Sequence, residues 1–165
     1  MKKAPIPLND EARIAALEMM GILDTPPEER FDKITKNATE YFNVKIATIS
    51  LIDRKREWFK SCVGLTEKEG PRDISFCGHA MLANEIFIVE DTLKDERFAD
   101  NPYVTGYPFI RFYAGISLKD KRTKLPIGVF CIKDDKPREF SSEDINQFLI
   151  FGNQAEDELN RAPKK

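Results

Sequence analysis

The sequence predicts an α+β fold built on an antiparallel sheet, and three observations predict it. Period-two segments occur in pairs joined by short polar turns, which makes hairpins. Helical periodicity is confined to the two ends of the chain and one short stretch between strands. Twelve phenylalanines among 165 residues can furnish a packed interior, and a chain of that size buries about 68–70% of its unfolded surface. One domain suits this length, residues 1–165, with a core at about 25–140 and terminal helices at about 9–21 and 141–161.

Asn9 or Asp10 can cap a first helix to about Met20, with Ile14 and Leu17 on one face and Gly21 ending it. Thr25-Pro26-Pro27-Glu28 supplies a capping hydroxyl, a proline for the first helical position and a carboxylate three residues on. A second helix follows to about Phe42, with Phe31, Ile34, Ala38, Tyr41 and Phe42 at helical spacing. The period then changes to two, as Ala47, Ile49 and Leu51 alternate with Thr48, Ser50 and Ile52. After the polar turn Asp53 to Arg56, Trp58 to Val63 reads as a second strand ending at Gly64, close enough to pair as a hairpin. Leu65 to Asp73 is a charged loop carrying Gly70-Pro71. Ser75 caps a short helix from about Phe76 to Leu82, its hydroxyl accepting from the N–H of Cys77 or Gly78.

Ile86 to Val89 is a short strand. Asp91 to Tyr107 is a polar connection with one helical turn near Leu93 to Phe98, and its length marks it as functional or mobile. Phe112, Ala114, Ile116 and Leu118 alternate with Tyr113, Gly115, Ser117 and Lys119, giving a strand with one buried face. The charged turn Asp120 to Lys124 leads into Ile127 to Ile132, apolar throughout and therefore central, covered on both faces. Ser141-Ser142-Glu143-Asp144 starts a last helix to about Arg161, with Ile145, Phe148, Leu149, Gly152, Ala155 and Leu159 as its stripe.

Bulk properties exclude several classes of function. Net charge is −2 with both signs interspersed, so nucleic acid is not an expected partner. No apolar run reaches transmembrane length, so no membrane insertion is expected. The first residues carry two lysines without an apolar segment behind them, unlike a signal peptide. Three widely spaced cysteines fit reduced thiols and a cytoplasmic location.

Candidate chemistry concentrates in Asp73 to Asn84, which holds Cys77 and the sole histidine, His79. Cys77 in the first turn of a helix is expected to have a lowered pKa. Cys62 lies one loop away and could approach it, whereas Cys131 reads as a small buried hydrophobe. His79 fits either a cavity wall or a ring satisfied by a backbone carbonyl. No second Cys or His pair completes a metal site, no Walker or dinucleotide motif is present, and no catalytic residue is assigned. Arg72, Ser75, Cys77 and His79 could converge with Arg97, Tyr103, Arg111 and Tyr113 over one sheet face, enclosing an apolar pocket with polar anchors. Alternatively Arg72 and Arg97 pair with the abundant carboxylates.

Six segments in order carry a resemblance. They are Pro27 to Ile34, Trp58 to Ser61, Val63 to Leu65, Ile74 to Ala80, Asp95 to Pro102 and Ile110 to Gly115. Together they resemble the GAF domain, of the type found at the N-termini of bacterial sensor histidine kinases and diguanylate cyclases. The resemblance implies a GAF/PAS-like α/β sandwich: a central antiparallel five- to six-stranded sheet, helices on one side, a ligand-covering helix and loop on the other. It implies a non-catalytic domain that binds an unidentified small molecule and no other cofactor, with Ser75, Phe76, Cys77, His79, Arg97, Phe112 and Tyr113 lining the site. It further implies a homodimer through the terminal helices and a kinase or cyclase as output partner in a signalling system. The chain has no room for such an output domain, so it acts alone, through a partner, or as one module of a larger protein.

Departures narrow the reading. The Asn-Lys … Phe … Asp-Glu signature of cyclic-nucleotide-binding members is missing. Cys77-Gly78-His79 only loosely echoes the bilin-linking cysteine, without the accompanying Asp-Ile-Pro type motif. Free methionine-(R)-sulfoxide reductase shares the fold and uses three cysteines. Cys62 and Cys77 fall near two of them, but Asn101 to Ile110 holds no third. A thiol reductase and a pure dimerisation module whose own side chains fill the pocket remain the alternative expectations.

Overall fold

The computed structural model describes residues 1–161. Helices α1 (Asp10–Met19) and α2 (Glu29–Phe42) lead into strands β1 (Ile46–Ile52) and β2 (Arg56–Val63). There follow β3 (Glu69–Pro71), α3 (Phe76–Ala80), β4 (Phe87–Val89), a 3-10 turn at Thr92–Lys94 and α4 (Pro102–Thr105). Strands β5 (Phe112–Lys119) and β6 (Pro126–Asp134) precede the last helix, α5 (Ser142–Leu159). All six strands form one antiparallel sheet in the order β3-β2-β1-β6-β5-β4. The expected α+β class is therefore found, with six strands.

Strands β1 and β6 occupy the centre, and every residue of β1 is buried. This explains why β6 reads as an unbroken apolar run: both of its faces are covered. One face packs against α1, α2 and α5, where Ile49, Leu51, Trp58, Phe112, Phe130 and Phe148 join one core. The other face carries Ile52, Tyr113, Val129 and Cys131 beneath α3 and the connection that contains α4. Helix α5 starts on a capping box, in which Ser141 and Asp144 satisfy each other's backbone N–H groups.

Several sequence expectations are corrected. Leu65 to Asp73 is not all loop, because Glu69–Pro71 pairs with Arg56 to Trp58 on the open edge of β2. A three-residue strand with glycine and proline has no propensity signature; the free edge of its neighbour makes it. Thr25 does not cap α2: the helix begins at Glu29, and the Thr25 hydroxyl accepts from the Lys60 ammonium at 2.8 Å. Neither Asn9 nor Asp10 caps α1 with its side chain. Tyr41 is half exposed rather than part of the core stripe. The long connection holds α4, four residues capped by Asn101, whose side chain accepts from the N–H of Tyr103.

One irregularity governs the site. Ile49 pairs with Ser61 but Ser50 pairs with Phe59, so Lys60 is an extra residue in β2. From this bulge onward, the two-residue alternation changes phase. Trp58 thereby enters the helix-side core, while Glu57 and Phe59 face the α3 side. The Lys60 ammonium turns to the helix side, where it meets Thr25, the Pro26 carbonyl and the Glu28 carboxylate at 2.8, 2.6 and 2.8 Å. Hydrogen bonds from Arg30 and Lys60 together hold the Glu28 pKa down at about 2.

Candidate functional site

The helix of Cys77 is built as expected at its start. Ser75 sits in an extended conformation and its hydroxyl accepts from the Gly78 N–H at 2.9 Å. The same hydroxyl donates to the Arg72 carbonyl at 2.7 Å, which anchors α3 to the preceding loop. The helix ends at Ala80 rather than Leu82.

Beneath α3 the space is occupied by the chain's own side chains. Phe76 stacks on Phe98 at 4.2 Å between ring centroids and packs against Tyr113 at 5.2 Å. Phe76, Cys77, Phe98, Val104 and Tyr113 are each at most 1% exposed. The Tyr113 ring lies over Gly115, where an added Cβ would come within 2.3 Å of the Tyr113 hydroxyl oxygen. Gly115 is thus required for Tyr113 to lie flat against the sheet.

A buried polar chain runs through this layer. The Tyr113 hydroxyl donates to the Cys77 thiol at 3.1 Å, and that thiol lies 3.9 Å from the Ser50 hydroxyl. Ser50 meets Thr48 at 2.8 Å, and Thr48 meets the Cys131 thiol at 3.0 Å. The two β1 residues that break the apolar pattern therefore have hydrogen-bonding partners.

The expected acidification of Cys77 is reversed. Burial pushes its pKa well above the ordinary thiol value, with the Cys131 thiol beside it adding to the rise. Burial also raises Cys62, to about 11, while its S–H points at the Leu65 carbonyl. Thiols this protonated are poor nucleophiles. Native protein at pH 7.5 should leave Cys77 and Cys131 unmodified by an aromatic disulfide reagent that labels all three thiols in urea. Rapid labelling of Cys77 in the native state would contradict this packing.

The remaining expected site residues separate. Phe112 points to the opposite face of the sheet, in the helix-side core, and shares no pocket with Tyr113. Arg97 forms a two-bonded pair with Asp95 at 3.0 and 2.7 Å and lies over the Phe87 and Phe98 rings. Arg72 pairs with Asp10. Arg111 donates to the Val104 carbonyl. His79 donates from Nε2 to the Lys2 carbonyl at 3.1 Å, because the first residues lie across α3. Ala4 is buried there, hydrogen-bonded to the Asp73 carbonyl.

Burial lowers the His79 pKa, helped by the nearby Arg97 charge, although the Lys2 carbonyl works the other way. The folded state thus disfavours the charged ring. Its contribution to stability is complete above the unfolded value near 6.5 and declines as pH falls from there through the folded value. An NMR titration of this single histidine should give a midpoint below that of the urea-unfolded chain. An equal or higher midpoint would refute the assignment.

An open cavity lies elsewhere, between the outer half of the sheet and the segment after α4. Its floor and walls are Glu57, Phe59, Leu65, Ile110 and Lys133, with Tyr103, Tyr107 and Pro108 as cover. Its volume is about 90 Å³; one ordered water needs roughly 10–15 Å³ on such a measure. Glu67 and Glu69 stand at the rim, and Glu69 is paired with Arg56 at 3.0 Å. Gly70 leaves space for the Tyr103 hydroxyl, which would lie 2.6 Å from an added Cβ. The long connection is therefore a cover, but Tyr103 to Ile110 cover this cavity rather than Cys77.

Two ionisable groups face it from buried positions. Glu57 is 2% exposed and its Oε2 has no hydrogen-bond partner among the described residues. Lys133 is 5% exposed. Burial opposes its charge, while Cys131 and Glu57 favour it through space, leaving its pKa raised. Sequence reading missed both residues. Lys133 was findable, because it shares the inward alternation of Val129 and Cys131. Glu57 was not, because only the bulge turns it inward. Among the described residues, no three His, Cys, Asp or Glu side chains converge on a point where a metal could sit. No described helix is long and apolar enough to cross a membrane.

Comparison with known proteins places this architecture. The chain is 41% identical over 138 residues to a cyclic di-GMP phosphodiesterase of Pseudomonas aeruginosa. That match spans 84% of this chain but only 23% of the relative's length. Its fold is similar to the GAF domain of an Acinetobacter phosphoenolpyruvate-protein phosphotransferase (TM-score 0.65, 16% identity, covering 90% of this chain and 92% of that one). It is also similar to free methionine-R-sulfoxide reductase of Neisseria meningitidis (TM-score 0.64, 15% identity, 98% of each chain). The GAF domain family matches residues 26–159, from the turn before α2 to the end of α5, and this chain belongs to that family.

Proposed function

We propose that the chain is a non-catalytic, ligand-sensing regulatory domain whose sensing cavity is the one walled by Glu57, Phe59, Ile110 and Lys133. The observation that carries this reading is the partnerless carboxylate oxygen of Glu57 in a cavity with an open mouth. Such a group costs stability, roughly 1–3 kcal/mol or more when charged, unless something pairs with it. A segment-covered cavity with apolar walls and few polar groups is the usual form of a small-molecule site. The packed layer of Phe76, Cys77 and Tyr113 adjoins it through Ile110 and Tyr103 without lining it, and movement of the Tyr103 to Ile110 segment is the response to occupancy.

The family and the relative in Pseudomonas aeruginosa support a role in bacterial signalling, with this domain as the regulatory part beside an output domain such as a cyclase, kinase or phosphodiesterase. A homodimer through the terminal helices belongs to the same proposal, supported by exposed apolar side chains at Met19 on α1 and Ile150 on α5. The protonated, buried thiols weigh against the alternative thiol reductase.

The test is a thermal-shift screen of a metabolite library, with native mass spectrometry of freshly purified protein. A binder at 100 times its Kd stabilises by about 2.7 kcal/mol, which is several degrees for a domain of this size. That shift should disappear in Tyr103→Ala. No bound species and no shift across the library would refute the sensing role.

A further inference from the structure

We propose that the ligand of this cavity is a small zwitterion with its ammonium and carboxylate at opposite ends of a short apolar chain, an ω-amino acid in chemical class. This rests on the sensing role proposed above and goes further by naming the ligand's charges and their separation.

Register supplies the separation. Glu57 pairs with Ile52 at one end of β1, and Lys133 pairs with Ile46 at the other. Both side chains nevertheless line one cavity. They converge from opposite ends of the sheet rather than forming a contact pair. The walls between them are apolar or aromatic: Phe59, Leu65, Ile110 and Tyr103. A buried carboxylate calls for a cationic group, and a buried ammonium for an anionic one. A ligand with only one charge would satisfy one end and repel the other. A compact α-amino acid carries both charges about one carbon and would reach only one end. The small volume, about 90 Å³, restricts the spacer to a few methylenes. The remaining carboxylates at the mouth, Glu67 and the Arg56-paired Glu69, leave the ammonium end the better attracted on entry.

The experiment uses the 165-residue chain and a length series: glycine, β-alanine, 4-aminobutyrate and 6-aminohexanoate. Butylamine and butyrate serve as single-charge controls. Thermal shift and amide chemical-shift mapping are read for each probe. One middle member should raise Tm, with resonance changes confined to Glu57, Phe59, Tyr103 to Ile110 and Lys133. Glycine and both controls should bind at least tenfold more weakly. Glu57→Gln and Lys133→Met should each weaken binding at least tenfold. If a variant does not fold, the shift map on the parent protein decides alone. No response from any of the four lengths overturns the proposal, as does butylamine or butyrate binding as well as the zwitterions. If a library compound lacking paired charges binds, survives Glu57→Gln and is lost in Tyr103→Ala, this proposal falls while the sensing role stands. If nothing binds at all, both fall.

Discussion

Replacing Asp10 with alanine is expected to lower the melting temperature by on the order of 10 °C. Asp10 accepts two hydrogen bonds from Arg72, at 2.9 and 2.8 Å, and one from Arg13 at 2.9 Å. Arg13 is fully buried and Arg72 is 3% exposed. Both terminal nitrogens of Arg13 and the Nε of Arg72 already lack a partner among the described residues. Removing the carboxylate therefore leaves two buried guanidinium groups without their shared partner, Arg72 keeping only long contacts to the Asp53 and Arg54 carbonyls at 3.3 Å. Breaking a buried pair in this way costs about 3–5 kcal/mol, and each kcal/mol is worth about 2–4 °C at this chain length. The effect should reach the site region, because Arg72 precedes the Ser75 cap and its carbonyl accepts from the Ser75 hydroxyl.

The sign of the pH dependence follows. Burial alone would raise the Asp10 pKa, but the hydrogen bonds from Arg72 and Arg13 outweigh it and the net shift is downward. This stabilisation is thus present above the ordinary carboxylate range, about pH 4, and is lost as pH falls through the lower folded value. Urea unfolding of parent and variant should show a stability gap that is constant at neutral pH and narrows in acid. A gap below 1 kcal/mol at pH 7 would refute the structural importance of this cluster.

Phe98→Ala should cost about 3–5 kcal/mol and open an apolar chamber beneath α3. Phe98 is fully buried, stacked on Phe76 and in edge contact with the His79 ring at 4.9 Å and the Phe87 ring at 6.0 Å. None of these neighbours can collapse far without unseating α3. An apolar void of this kind stays dry and takes up xenon or benzene. Xenon-induced chemical-shift changes near Phe76 and Tyr113 should appear in the variant and not in the parent. Equal changes in both would mean that the parent already holds a chamber there.

The elements that announced themselves did so by local physics. Strand β5 was legible from the alternation of Phe112, Ala114, Ile116 and Leu118. Its expected single buried face is corrected, since Tyr113 is buried on the other face as well. Strand β6 was legible because both of its faces are buried. Ser75 and Ser141 were readable as caps because the hydroxyl and the N–H it serves lie within three residues. Strand β3 and helix α4 were not. Each is too short for a period to show, and each is held by a partner distant in sequence: β2 for one, the sheet face for the other.

The candidate site divides along the same line. Cys77 and His79 attracted notice because rare residue types stand out in a string of letters. Their surroundings were set by Phe98, Tyr113 and the residues at the chain's start, which arrive from elsewhere and seal the thiol and cap the ring. A first-turn position favours a thiolate only while water or charge can reach it, and burial outweighed that local effect.

What the sequence determined by itself is the family, through six ordered segments that resemble it, and the antiparallel sheet and central place of β6, which follow from patterns repeated along contiguous residues. What only the tertiary structure decided is which way β2 faces. Counted strictly by twos back from Cys62, Glu57 and Phe59 would point toward the helices and Trp58 away from them. One extra residue, Lys60, is tolerated because Thr25, the Pro26 carbonyl and Glu28 take up its ammonium. That single bulge sends Trp58 into the core and Glu57 into the cavity, and no local propensity encodes it.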